Sequence, residues 1–104
     1  MKFLVVTKSR QAIPLEAAAM MLEGTRAWAK KYKANGKFEQ IWSFAGLPGG
    51  GGIINAASVE DLDAIMGEFP LSQFSDTQIY PLIDIDKSLD NAINAFKRAI
   101  PQAH

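Results

Sequence analysis

An α+β fold is what these 104 residues predict, on three observations. The first strand is apolar on both faces, two helical segments are separated by a strand pair, and a last strand leads into an amphipathic segment. The length fits one domain, 1–104, with one core. Hydrophobic residues make up 48% and charged residues 21%, without a long polar tract, which is the composition of a soluble folded globule with irregular structure confined to the last few residues.

Lys2 to Lys8 opens the chain as a strand with Phe3 and Val5 on one face and Leu4 and Val6 on the other, so both faces need cover. Pro14 suits a first helical turn, and Leu15, Ala18, Ala19, Leu22, Ala29 and Tyr32 recur at the spacing of one helix face. A second stripe, Met21, Gly24 and Trp28, predicts a second buried contact. Asn35-Gly36 ends the helix. Lys37 to Ala45 alternates as a strand with Phe38, Trp42 and Phe44 on one face. Gly46-Leu47-Pro48 and the glycines Gly49 to Gly52 read as a flexible hairpin before Ile53, Ile54 and Asn55 resume a strand. Ser58, with Asp61 three residues on, starts a helix whose core face is Leu62, Ile65, Met66 and Phe69, and Pro70 stops it. A final strand is predicted near Thr77 to Ile85. Leu89, Ala92, Ile93, Phe96 and Ile100 then mark a C-terminal amphipathic helix.

Strand, helix, strand, strand, helix, strand is the ferredoxin-like βαββαβ plan, here with an additional C-terminal helix. Right-handed crossovers place both main helices on one face of a four-stranded antiparallel sheet. The other face keeps apolar residues of the first strand. Leaving several hundred Å² of it in water would forgo several kcal/mol at about 25 cal/mol per Å². A homodimer of face-to-face sheets, with the last helix docked on the partner, is therefore expected.

Eleven basic and eleven acidic residues cancel, and no patch gathers the cations that a nucleic acid requires. Lys30, Lys31 and Lys33 suit a helix C-terminus. The sequence has no cysteine and one histidine, His104, and its acidic residues are scattered apart from Asp84 and Asp86; no metal site and no cofactor are expected. The apolar run Phe3 to Val6 is too short for a signal or a membrane span, so no membrane partner and a cytoplasmic location are expected. The glycine run lacks the Lys-Ser/Thr and the following helix of a phosphate loop. Glu23 and Arg26 share a helix face, where a surface ion pair is the plain reading; an inward Arg26 would instead seek a carboxylate that a ligand could supply. Trp42 and Tyr80 sit mid-strand, where core packing and a ligand contact are both open.

From Asn35 onward the chain resembles the muconolactone isomerase family. The resemblance rests on Asn35 to Gly46 (NGKFEQIWSFAG), with Gly36-Lys37, Phe38, Trp42 and Ala45-Gly46, then on Ala57 to Leu62 (ASVEDL), Phe69 to Leu71 (FPL) and Phe74 at matching spacing. It implies a dimeric α+β barrel, or a larger ring of dimers, with a pocket between sheet and helices that neighbouring subunits help to close. It further implies a cofactor-independent proton shift in a small anionic unsaturated lactone. The family's helix-one Glu-Lys pair falls on Thr25 and Arg26, its strand-two arginines on Glu39 and Ser43, and its polar histidine-containing segment on Asp84-Ile85-Asp86.

The resulting expectation is an isomerase-like small-molecule site with Arg26 as anion anchor, Glu23 as candidate base, and Trp42, Phe74 and Tyr80 as substrate-binding walls. A non-catalytic oligomeric binding module stays open beside it, as does, by fold analogy, a cofactor-free oxygenase.

Overall fold

The computed structural model describes residues 1–100; His104 and the irregular tail expected around it lie outside the described residues. Strands β1 (Lys2–Ser9), β2 (Phe38–Ser43), β3 (Gly49–Asn55) and β4 (Ser75–Leu82) form one antiparallel sheet in the order β2-β3-β1-β4. Helix α1 (Leu15–Ala34) links β1 to β2, α2 (Val59–Gly67) links β3 to the segment before β4, and α3 (Ile85–Ala99) follows β4. This is the ferredoxin-like order that the sequence predicts.

Alternation along β1 places the core. Phe3 and Val5 are buried with Phe38 and Ile54 beneath Tyr32 of α1 and Leu62 and Ile65 of α2, while Leu4 and Val6 are only half-buried on the other face. Trp28 ties the layers together. Its indole Nε1 donates to the Ile65 carbonyl at 2.9 Å, and its ring centroid lies 4.9 Å from those of both Phe38 and Phe69. Such aromatic pairs contribute about 0.5–1.5 kcal/mol each beyond their area.

Helix α1 packs through its second stripe, Gly24 and Trp28, together with Tyr32 at the end of the first. Trp28 and Tyr32 reach the core, and Gly24 lets Pro70 approach to 3.4 Å of where a Cβ would stand. Leu15 and Leu22, expected inward, are 89% and 53% exposed. The cause is Trp28: once the largest side chain of the helix is buried against α2, the line through Leu15 and Leu22 turns towards the rim.

Strand β2 departs from simple alternation. The register slips between Phe38 and Gln40, so Phe38 and Ile41 both pack on the core and Phe38 and Trp42 do not share a face. The glycine run is also not a loose hairpin. Gly49 to Gly52 are paired residues of β3, opposite Lys8, Thr7, Val6 and Val5 on one side and Ser43, Trp42 and Ile41 on the other. The turn is confined to Ala45–Pro48, with Gly46 at φ 83°.

The helix ends follow the sequence. Gly36 at φ 82° lies just past the C-cap Asn35. Ser58 Oγ accepts the Asp61 amide, and Asp61 Oδ2 accepts the Ala57 amide and pairs with Lys37 Nζ, each at 2.8 Å. Strand β4 stops at Leu82, short of the expected Ile85, because Asp84 caps α3 by accepting the Asp86 and Lys87 amides. Every residue of α3 is exposed, and the long axis of the described chain, 74 Å against 28 and 24 Å, shows how far this helix stands off the sheet.

The Lys37 ammonium, with help from the Ala57 amide, holds the Asp61 carboxyl below its ordinary value of 3.8. A depressed folded-state value means that this pair stabilises the fold above the unfolded-state pKa and that the contribution is lost as pH falls through the folded one. Asp61→Asn should therefore lower the thermal midpoint near neutrality and lose less of it than the parent between about pH 5 and pH 3, as read by circular dichroism melts.

Candidate functional site

Between the sheet and α1 lies a cavity of about 650 Å³, well within the size range of small-molecule sites. Its floor is the glycine half of β3, Gly49 to Gly52, with Val5 and Thr7 of β1. One wall is the rim side of α1, Leu22, Thr25, Arg26 and Ala29. The far end is closed by Met66, Phe69, Leu71 and Phe74. Phe74 belongs to a single 3₁₀ turn, Ser72–Phe74, which the sequence pattern did not signal.

The cavity exists because its floor has no side chains. At Gly52 a Cβ would stand 2.6 Å from the Gln40 carbonyl oxygen, and at Gly50 it would meet the Trp42 carbonyl oxygen. Backbone atoms of the flanking strands thus occupy the places where β-carbons would go. The space above is left open to a ligand.

Among the lining residues Arg26, itself exposed at the rim, is the sole charged group; no carboxylate, imidazole or thiol of the described residues lines the cavity. Arg26 makes no ion pair or hydrogen bond among the described residues, although Glu23 lies one turn back. The hydroxyls of Thr7, Ser9, Thr25, Ser43 and Ser75 also line it. Three are already engaged, Thr25 donating to the Met21 carbonyl at 2.9 Å, Ser9 to that of Gln11 at 3.1 Å and Thr7 to that of Gly50 at 3.4 Å.

Of the five residues singled out from the sequence, the structure brings Arg26 and Phe74 to the cavity; Trp42 borders it, but it pairs with Gly51 opposite Val6, and its ring lies against Gly51 on the face away from the helices. Glu23 and Tyr80 are elsewhere. Glu23 is exposed and does not line the cavity. Tyr80 pairs with Leu4 across β1 and β4 on the face away from the helices, 47% exposed, its hydroxyl donating to Gln78 Oε1 at 3.1 Å. The hydroxyls and the strand pairing of the glycines were missed; bare backbone at the four consecutive glycines was the signal for a close ligand approach, and their pairing in β3 makes them the floor. No group of three or more acidic, histidine or cysteine side chains among the described residues is placed to hold a metal, and no helix among them is long and apolar enough to cross a membrane.

A four-stranded antiparallel sheet with α1 and α2 on one face and a cavity of small-molecule size between the layers defines a ferredoxin-like α+β protein. The family described as muconolactone delta-isomerase matches residues 1–87, and the chain belongs to that family. No curated protein matches it. Among solved structures it is similar to muconolactone isomerase, at 20% identity and a TM-score of 0.74 over 81% of this chain and 90% of that one. It is also similar to 5-chloro-2-hydroxyhydroquinone dehydrochlorinase from Burkholderia phenoliruptrix AC1100, in complex with 2,5-dihydroxybenzoquinone. That match has 17% identity and a TM-score of 0.67 over 84% of this chain and 98% of that one.

A side chain on the cavity floor should cost stability before it costs binding. Gly52→Ala pushes a methyl against the Gln40 carbonyl and is expected to lower unfolding free energy by about 1–3 kcal/mol, seen as an earlier urea midpoint with unchanged slope.

Proposed function

We propose that this protein is a cofactor-independent, isomerase-like protein that takes a small unsaturated monoanion, a lactone acid or a related cyclic acid, into the cavity beneath α1. The observation that carries the reading is Arg26, one unpaired guanidinium in an otherwise uncharged, largely apolar site. A guanidinium offers a carboxylate two parallel hydrogen bonds, and a site poor in water strengthens them. The flat ring of such a ligand would lie over the bare backbone of Gly50 to Gly52, with Phe74 at its edge.

In a proton shift next to a carbonyl, a base removes a proton from carbon, the electron pair moves into the ring as a dienolate, and the proton returns at another carbon. Arg26 would offset the charge of the carboxylate and of the dienolate. Glu23, the carboxylate on α1 closest in sequence to Arg26, would have to turn inward to act as base.

A non-catalytic binding module is the second reading, and a specific observation favours it: the lining holds an anion anchor and no base. Either reading accommodates self-association. The sheet face away from the helices carries Leu4, Val6, Ile53, Tyr80 and Leu82, and pairing two such faces as a homodimer would remove them from water.

Arg26→Gln should weaken binding of unsaturated lactone acids or hydroxyquinones by about ten- to a hundredfold, the worth of a charge-assisted contact, in calorimetric titrations. Equal affinities would remove the anchor. If catalysis is present, Glu23→Gln should abolish solvent-deuterium incorporation into a bound lactone acid while leaving its affinity within about threefold; incorporation by neither protein favours the binding module.

A further inference from the structure

The cavity is roomier, and more apolar at its inner end, than one small ring acid requires. Its volume of about 650 Å³ lies well inside the range of about 300–1,000 Å³ in which proteins bury drug-sized ligands. Polar groups are unevenly placed around it. Arg26, Ser9 and Ser43 are exposed at the rim, and Thr7 and Ser75 lie towards the Gly49–Gly50 end through their strand pairing. Over Gly52, by contrast, the most enclosed lining side chains are Val5, Phe38 and Phe69, all buried and apolar. Trp28, Ile41 and Met66 complete that inner end and pack against the core.

The inner end has no hydrogen bond to offer. The Trp28 indole is engaged with the Ile65 carbonyl at 2.9 Å, and the Thr25 hydroxyl with that of Met21. Gly51 and Gly52 pair with β1 on one side and β2 on the other, so the backbone groups of the floor are engaged as well. No buried side-chain nitrogen or oxygen among the described residues is left without a partner. A hydroxyl or carbonyl carried into this end would give up its water and find nothing in return. A hydrocarbon group gains from the same transfer. The walls suit one: the ring of Trp28 lies 4.9 Å, centroid to centroid, from those of Phe38 and Phe69, and the unbranched thioether of Met66 adjusts to what lies beside it.

We propose that the ligand of this cavity is an amphipathic cyclic monoanion, with its carboxylate at Arg26, its ring over the glycine floor and a hydrocarbon arm in the inner end beside Trp28, Phe38, Met66 and Phe69. The inference deepens the proposed function and rests on its placing of a carboxylated ring in this cavity. Ala29 is then the residue that sets the size of the arm. It is a half-buried methyl on the cavity wall, one turn past Arg26, where a longer side chain would take up the arm's space.

Benzoate, 4-ethylbenzoate, 4-butylbenzoate and biphenyl-4-carboxylate, titrated calorimetrically, test this directly. Affinity is expected to rise about three- to fourfold with each methylene buried. Ala29→Phe, which adds apolar volume to an existing cavity and leaves the core intact, should flatten that rise. Position is read separately. The sequence has two tryptophans, so Trp42→Phe leaves Trp28 alone, and 4′-bromobiphenyl-4-carboxylate should quench its fluorescence where the bromine-free acid does not. An affinity that does not grow along the series, the same growth in Ala29→Phe, or growth without quenching of Trp28 would each overturn the proposal. Benzoate held through Arg26 with no gain on lengthening removes the arm and keeps the anchor. A rise with length that Arg26→Gln leaves untouched supports the inner end and removes the anchor instead, so the two readings fail separately.

Discussion

The arrangement depends on one constraint: a strand whose first half carries no side chains is held between two that do. Gly49 to Gly52 pair with β1 on one side and β2 on the other, so closely that neighbouring carbonyls stand where β-carbons would be. A glycine strand is intrinsically poor, since it gains nothing from packing its own side chains. It persists because both neighbours supply hydrogen bonds and because aromatic rings cover it, Trp42 against Gly51, Phe38 near Gly52 and Phe44 near Gly49. Where β3 acquires side chains, at Ile53 and Ile54, the sheet has a packed core; where it lacks them, it has a cavity. Core and site are thus two halves of one strand.

Helix α1 is divided at the same level. Its C-terminal half drives Trp28 and Tyr32 into the aromatic cluster with Phe38 and Phe69, and the indole hydrogen bond to Ile65 locks α1 to α2. Its N-terminal half, from Leu15 to Arg26, stands over the glycine floor. Rigid packing below holds Arg26 at the cavity above without an internal partner. Arg26 is an exposed residue at the cavity rim, so its guanidinium stays hydrated and free to meet an anion.

Much of this architecture was legible because local chemistry and tertiary need agree. Ser58 and Asp61 announced the start of α2, Asn35-Gly36 the end of α1, and the stripe from Leu89 to Ile100 the last helix; each is a short-range signal that the structure reproduces. Family membership was legible from Asn35 to Gly46 and from Ala57 to Phe74. What escaped was decided at longer range. Glycine disfavours strands, so the pairing of Gly49 to Gly52 followed from neighbours remote in sequence. The slip at Phe38 and Gln40 inverts the faces of β2, which alternation alone assigns wrongly. Two competing stripes on α1 cannot be ranked by period, and burial of Trp28 chose between them. For the site, Arg26 was visible as a charge on an apolar stripe, whereas Tyr80 faces away through its register with Leu4, which only strand pairing reveals.

Whether the glycine floor and Arg26 together bind an anion is read from a crystal structure with a small unsaturated ring acid at saturating concentration. The carboxylate is expected to pair with the Arg26 guanidinium and the ring plane to lie over Gly50 to Gly52, between Phe74 and α1. A ligand bound elsewhere, or a filled cavity with Arg26 turned to solvent, would contradict it.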